Sequence, residues 1–415
     1  MTQQLQILVK SIQHQIQYHF SKIHFKTTDF EEIKHLSFNE LKTHPLVYKT
    51  YNALQFSSKG GKDVNGLNDE EMRISKQIGT YTSKEYCPLG FALIRKYFKV
   101  SIEDCIQSIC SENNLPIPSS GAGKSGSLFM FTKDKKYIIK TIPKGEEKVL
   151  VKWLSVYFNH LLDNPSSLLP QYYGMFRIKI GNGKEYRYII TNNLFSNTHY
   201  PISTLYDVKG SYYHRKASDT ERMKSVPCLK DEDFMNDEMK LHIDSTLRQH
   251  FIEQIEKDSH MLRDCNLMDY SLLIGIHQLS DKKIKSINKK LNKEKKAKKK
   301  EQKDSHEKEL KKSFNKQQKE IVTLEDFISS IEIPNENSNQ FIDYKGGLLG
   351  KDSEGNLTGE LYYLGIIDIL LPYTTKKKIA NICKTIVAGS QDGLSSVPSD
   401  FYSERFIRFI QDHIE

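Results

Sequence analysis

IPSSGAGKSGSLFMFTKDKKYIIKTI, residues 117–142, contains a glycine turn that three nucleotide-binding arrangements could share. It holds GKS, as a Walker A loop does, and Gly121-Ala-Gly123-Lys-Ser-Gly126 matches a dinucleotide fingerprint. The residues around the glycines decide between them. A Walker A loop needs glycine five positions before the glycine of GK, where this chain has Pro118. Both helix-based arrangements also need a helix directly after the glycines. SLFMFTKDKKYIIKTI alternates Leu128/Met130 with Phe129/Phe131, turns at Lys133 to Lys136 and resumes at Tyr137-Ile-Ile-Lys, which predicts a β-hairpin. What remains is the arrangement in which a glycine loop joins two antiparallel strands over the phosphates and a lysine on the following strand reaches them. Lys140 is that lysine, with Ile139 and Thr141 on the opposite face of its strand. Gly121, Gly123, Lys124, Ser125 and Gly126 form the expected phosphate cradle. A carboxylate opening the next helix should position the lysine. Glu146 or Glu147 can do so, Glu146 being favoured, although two acids at a helix start also suit the macrodipole.

A chain of 415 residues that is 38% hydrophobic and 27% charged describes a soluble globular protein with room for two or three domains. The longest apolar run, LYYLGIIDILLPY, is too short to span a bilayer and carries Asp368. It reads as a buried strand. The amino terminus lacks a secretory pattern, so a cytoplasmic location is expected. Six scattered cysteines show neither zinc spacing nor a disulfide framework.

The net charge of +9 is local. Residues 281–320 hold 17 Lys against 7 Asp and Glu, a net of +10, so the rest of the chain nets −1. This low-complexity stretch has too little apolar surface to order itself and is expected to be a disordered insertion. Its basicity suits an anionic membrane. The lack of interleaved aromatics argues against nucleic acid.

Composition and periodicity set off a polar, partly helical extension over 1–80, a mainly strand-rich block over 81–200, and a mixed block over 201–415 interrupted by the insertion. SKQIGTYTSKEYCPLGFALIRKYFKV carries helical spacing. Helices are predicted near EEKVLVKWLSVYFNHLL and over 240–265, a strand at MDYSLLIGIH, and a hairpin in GGLLGKDSEGNLTGELYYLGIIDILL turning at Glu-Gly-Asn.

Downstream, Tyr206-Asp-Val-Lys-Gly-Ser211, Lys230-Asp-Glu-Asp-Phe234, Met268-Asp-Tyr-Ser-Leu-Leu273, Ile366-Ile-Asp-Ile-Leu370 and Phe401-Tyr-Ser-Glu-Arg-Phe406 occur in this order. Over about residues 80–415 the chain closely resembles the phosphatidylinositol phosphate kinase family. The resemblance implies an α+β, two-lobed lipid kinase fold, protein-kinase-like, with ATP and Mg2+ as cofactors. It implies Asp368 as the magnesium-binding acid and Asp269 as the catalytic-loop acid, also near the metal. Arg263-Asp264 resembles the RD of a protein-kinase catalytic loop, but the family's pattern lies on MDYSLL, so Asp264 is not adopted as a base. Thr191, Asn193 and Phe195 fall where the hinge should meet the purine. Asp207, Lys209, Arg215 and Lys216 look like the group contacting substrate phosphates, with Val208 a mild departure from the family's DLKGS.

The segment from Thr374 to Phe401 occupies the activation-loop position, which in this family inserts at the membrane. Its Lys377, Lys378 and Ala380 stand where the family selects substrate. Ala380, in place of the acid of KKLE, and the hinge TNNLF resemble the 5-phosphate 4-kinase branch and admit GTP use. YYHRKAS and SDFYSERF resemble the 4-phosphate 5-kinase branch, which is the expected activity. Both routes end at phosphatidylinositol 4,5-bisphosphate. The resemblance further implies a phosphoinositide substrate in an anionic membrane, peripheral association with the cytosolic face, plasma membrane first, and a homodimer formed through the amino-terminal lobe.

Overall fold

Two sheets organise the chain in a computed structural model that describes residues 3–21, 27–49, 51–56, 81–110, 117–120, 127–180, 183–196, 198–290, 324–333, 339–374, 393–394 and 396–415. Seven strands build the first sheet: β1 (Tyr51–Phe56), β2 (Tyr81–Tyr86), β3 (Ile117–Ser120), β4 (Leu128–Phe131), β5 (Tyr137–Thr141), β6 (Tyr172–Ile180) and β7 (Glu185–Asn192). Their order is β1-β2-β6-β7-β5-β4-β3, antiparallel throughout. The hairpin predicted after the glycines is β4–β5, with Phe129 opposite Lys140 and Met130 opposite Ile139.

Period-2 alternation sorts this sheet's side chains onto two faces. Met130, Tyr137, Ile139, Phe176, Ile178, Tyr188 and Ile190 bury on one face. There they meet Leu8, Val9, Ile12, Ile16 and Phe20 of helix α1 (Gln3–Ser21). The segment read as a polar extension therefore supplies an apolar stripe at helical spacing to this core. Helix α2 (Pro88–Tyr97) and helix α3 (Lys144–Asp163) bury Leu89, Phe91, Leu150, Leu154 and Phe158 in the other, larger core. Helical spacing was expected to begin before Pro88, but Tyr81–Tyr86 pairs as a strand with β6. A proline at the first turn of α2 suits a helix start, since its missing N–H would have no partner there.

The second sheet has the order β11-β12-β10-β8-β9, from β8 (Thr204–Val208), β9 (Cys228–Leu229), β10 (Ser271–Gln278), β11 (Leu348–Lys351) and β12 (Leu357–Ile367). All its pairs are antiparallel except β8–β9. The predicted β11–β12 hairpin turns through Asp352, whose carboxylate accepts the Glu354 and Asn356 amides. Helix α4 (Asp231–Asn236), helix α5 (Ser245–Asp264) and the last helix (Ser399–Asp412) accompany this sheet. Phe251, Ile255, Leu262, Tyr270, Leu272 and Ile366 join the α3 residues in one core, which also takes Met175 and Ile189 of the first sheet.

Gly275 lies in mid-strand because Phe195 packs over it. A Cβ there would come within 2.6 Å of the Phe195 ring and 3.0 Å of Ile202. Gly275→Val is expected to destabilise by about 1–3 kcal/mol through overpacking, read as a lowered denaturation midpoint. A shift within experimental error would show that Phe195 can move aside.

One expectation is corrected here. Residues 281–290, the start of the segment read as disordered, are helical. Ile284 and Ile287 fall three apart on one face. Ile287 is buried with Leu279, Leu349, Leu361 and Tyr363, and Ile284 packs alongside. Residues 291–320 lie outside the described residues.

Candidate active site

Strand register gathers the chemistry at one end of the five-stranded sheet. Leu272 of β10 pairs with Val208 on one side and Ile366 on the other, and Ser271 pairs with Ile367. Lys209 follows Val208, Asp368 follows Ile367, and Asp269 stands two residues before Ser271, so all three leave the sheet at the same edge. Asp269 (φ +64°) and Asp368 (φ +59°) both adopt left-handed backbone. This is uncommon for a residue with a Cβ, least so for Asp and Asn, and it turns each carboxylate out of its strand direction.

Lys140 reaches that edge from the other lobe. Its Nζ lies 2.5 Å from Asp368 Oδ1 and 5.2 Å from the centre of the Phe129 ring. Asp368 was expected inside an apolar strand. β12 instead ends at Ile367, and the Asp368 side chain is 51% exposed. The Ile366 amide is fixed by the Leu168 carbonyl at 2.7 Å, and Ile369 and Leu370 are buried. An apolar run thus anchors the acid on both sides while leaving its head half exposed and paired through Oδ1 with Lys140.

Of the two acids opening α3, Glu147 is taken by Tyr86 and Arg187. Glu146 is the one close to Lys140 and Asp368. Burial pushes its carboxyl up, Lys140 pulls it down, and the Asp368 charge raises it again. The Lys140 ammonium pairs with Asp368 rather than with Glu146.

A second lysine–aspartate pair stands beside the first on the same edge. Lys209 Nζ donates to the Asp269 carbonyl at 2.7 Å and to its Oδ1 at 2.8 Å. Arg215 Nη2 donates to the Asp207 carbonyl at 2.5 Å and to its Oδ1 at 3.1 Å. Burial pushes the Asp207 carboxyl up, but Arg215 and Lys209 outweigh it and hold it below its ordinary value. Lys216 is exposed, as are Tyr212 and Tyr213.

The KDEDF motif, residues 230–234, carries no role that is legible in the sequence. Its Asp231, fully buried, accepts the Lys209 and Ser211 amides at 2.7 and 3.2 Å on Oδ1 and Arg215 Nε at 2.7 Å on Oδ2. One carboxylate thereby fixes the loop that bears Lys209 and Arg215. Three acids within four residues beside a basic motif were the available signal.

The expected hinge residues make contacts of their own. Asn193 is buried, donates Nδ2 to the Lys135 carbonyl at 2.8 Å and accepts the Phe195 amide at 3.2 Å. Phe195 packs on Gly275. Thr191 pairs with Ile138, and its hydroxyl donates to the Asn192 carbonyl. Asp264 is 67% exposed and bound to Arg263 at 2.9 Å. Gly121, Gly123, Lys124, Ser125, Gly126, Lys377, Lys378 and Ala380 lie outside the described residues, although β3 and β4 pair up to Ser120 and Leu128 on either side of the glycines.

Hard cations such as Mg2+ take oxygen ligands and are held by one or two carboxylates together with substrate phosphates. Asp368 and Asp269, both reachable from solvent and both now balanced by lysines, fit that requirement.

A family model described as phosphatidylinositol-4-phosphate 5-kinase matches residues 110–413. The chain belongs to this family. A Dictyostelium discoideum protein named probable phosphatidylinositol phosphate kinase is 37% identical over 360 residues, covering 83% of this chain and 49% of that protein. The phosphatidylinositol 5-phosphate 4-kinase type-2 alpha of Gallus gallus is 33% identical, covering 79% of this chain and 77% of the relative. The human type-2 beta enzyme is 32% identical, with coverages of 79% and 76%. The chain thus spans about half the length of the Dictyostelium relative and about three quarters of these two vertebrate kinases. Family membership accounts for the order of the motifs along the chain. Among the described residues no helix is long and apolar enough to cross a membrane.

Proposed function

We propose that this kinase-family chain transfers the γ-phosphate of a nucleotide to the inositol ring of a phosphatidylinositol monophosphate, giving phosphatidylinositol 4,5-bisphosphate. The observation that carries the reading is the 2.5 Å contact between Lys140 and Asp368, made across the two lobes beside the Lys209–Asp269 pair. Phosphoryl transfer asks a protein mainly for placement and for charge around the moving group. Lys140 supplies positive charge to the nucleotide phosphates. Asp269, held by Lys209 through Oδ1, accepts the proton of the attacking inositol hydroxyl. Lys216 meets the phosphate already on the ring as a point charge, while Arg215, whose Nε and Nη2 are held by Asp231 and Asp207, fixes the loop that presents it. Asp368 and Asp269 would hold Mg2+, which when bound would neutralise the phosphate oxygens. Exposed Tyr212 and Tyr213 beside Arg215 and Lys216 suit a membrane interface, where amphipathic rings and cations settle among headgroups.

For the hydroxyl that is phosphorylated, we take the 4-position on a 5-phosphate substrate. The vertebrate relatives named above, Ala380 and the hinge TNNLF support it. YYHRKAS, SDFYSERF and the description of the matching family support the 5-position expected from the sequence. Vesicles containing phosphatidylinositol 4-phosphate or 5-phosphate, each with ATP and with GTP, separate the two. Faster turnover of the 5-phosphate lipid by at least about tenfold in kcat/KM is expected. Faster turnover of the 4-phosphate lipid would reverse the choice, and turnover of neither would end the kinase reading.

A further inference from the structure

Asp258 is a buried acid in α5, away from the catalytic edge, and its carboxylate is fully enclosed. Its Oδ1 lies 2.6 Å from His160 Nε2 and accepts the Ser167 hydroxyl at 2.9 Å and the Gln254 amide nitrogen at 2.9 Å. Its Oδ2 accepts the Leu168 backbone amide at 2.8 Å. The Leu168 carbonyl in turn accepts the Ile366 amide at 2.7 Å. We propose that Asp258 is a positioning residue for phosphoryl transfer, one carboxylate that sets the helix bearing Glu146 and the strand end bearing Asp368 in a common frame. The inference rests on the kinase reading above.

Its partners give the proposal its content. His160 lies in the last turn of α3, whose first turn carries Glu146. Leu168 lies in the linker after α3 and holds β12 at Ile366, two residues before Asp368. Gln254 and Asp258 belong to α5, which runs into the loop bearing Asp269. Each of the three elements meeting at this carboxylate therefore leads to a different site acid. His160 Nδ1 faces the Asn164 side-chain amide at 3.4 Å, which places the ring proton on Nε2, directed at Asp258. An ordinary core carboxylate needs its oxygens satisfied. This one is satisfied by groups from both lobes, and a fixed frame matters because misplacement of about 1 Å costs roughly a hundredfold in rate.

The test introduces Asp258→Asn, His160→Leu and His160→Gln into the 415-residue chain. Asparagine keeps an acceptor oxygen but turns an NH2 group on the donors that face Asp258. Glutamine puts a donor near the place of His160 Nε2, and leucine removes it. Asp258→Asn and His160→Leu are expected to lower kcat per folded molecule by roughly 10- to 100-fold with nucleotide KM little changed. His160→Gln should stay within about threefold of the parent, and the double variant should be no slower than Asp258→Asn. Hydrogen exchange in a peptide spanning residues 361–370 should quicken in Asp258→Asn. Should Asp258→Asn fail to fold, the His160 pair decides. Unchanged kcat per folded molecule together with unchanged exchange would overturn the proposal. If the parent turns over no lipid, the kinase reading fails, while the exchange measurement still decides whether Asp258 holds the Asp368 strand.

Discussion

Replacing Asp368 by Asn is expected to lower lipid phosphorylation about a thousandfold, the scale on which single electrostatic groups contribute to a transition state, with the fold intact. Asn is close in shape to Asp and also tolerates left-handed backbone, so φ +59° remains accessible. With the side chain 51% exposed, its loss should change unfolding free energy by no more than about 0.5 kcal/mol. Lys140→Met tests the partner. Methionine keeps most of the aliphatic stem over Phe129 while removing the charge, so a comparable fall in activity is expected, again with an unchanged melt. Kinetics on lipid vesicles beside thermal denaturation of each variant make the check. Either variant working within about threefold of the parent would remove that residue from the site.

The two variants should differ in one respect. Lys140 and Asp368 neutralise each other, so deleting Asp368 leaves Lys140 beside Glu146, and deleting Lys140 leaves Asp368 beside Glu146, at a partly exposed edge. Solvent screens such a charge, which keeps the stability cost small. The effect on activity comes from the charge presented to nucleotide phosphates. Lys140→Met should raise nucleotide KM as well as lower kcat, and Asp368→Asn should act mainly on kcat.

The local half of this architecture was legible because it is periodic. Alternation over Leu128–Phe131 and a turn at Lys133–Lys136 specify a hairpin without knowledge of the rest of the chain, and Lys140 falls on the face opposite Ile139 by count alone. The Asp269–Asp368–Lys209 edge was reached through resemblance. Its physical cause, the pairing of Val208, Leu272 and Ile366 across three strands distant in sequence, leaves no local trace. Helix 281–290 was missed because only Ile284 and Ile287 mark its buried side among lysines, too few to register as an amphipathic pattern. Asn193 and Phe195 were read from their place in the TNNLF stretch, and the contacts that hold them, to the Lys135 carbonyl and Gly275, join residues that only the folded chain brings within reach. Asp368 was placed within a strand because hydrophobicity continues past it. The apolar residues that follow are buried beyond the turn rather than in the sheet.

Asp231→Ala should be the most destabilising single change near the site, by at least about 3 kcal/mol. Its carboxylate is fully buried and receives two backbone amides and a guanidinium nitrogen. Alanine removes all three acceptor contacts at once, and each buried donor left unsatisfied costs about 1–3 kcal/mol. The Arg215 guanidinium, whose proton is held more tightly than usual by Asp207 and Asp231 together despite burial, would keep only Asp207. Water entering the vacated space would recover part of this, so the expectation sits at the low end of the sum of the three losses. Denaturant unfolding measures it, and Asp231→Asn should fall between parent and alanine because its single oxygen can serve the amides or the guanidinium but not both. At temperatures where the alanine variant stays folded, KM for the anionic lipid should rise, because Lys209 and Arg215 lose the group that fixes their loop. A loss below about 1 kcal/mol would mean that the Lys209 and Arg215 loop is held by other contacts, such as the Arg405 Nη2 bond to the Ser211 hydroxyl at 2.7 Å.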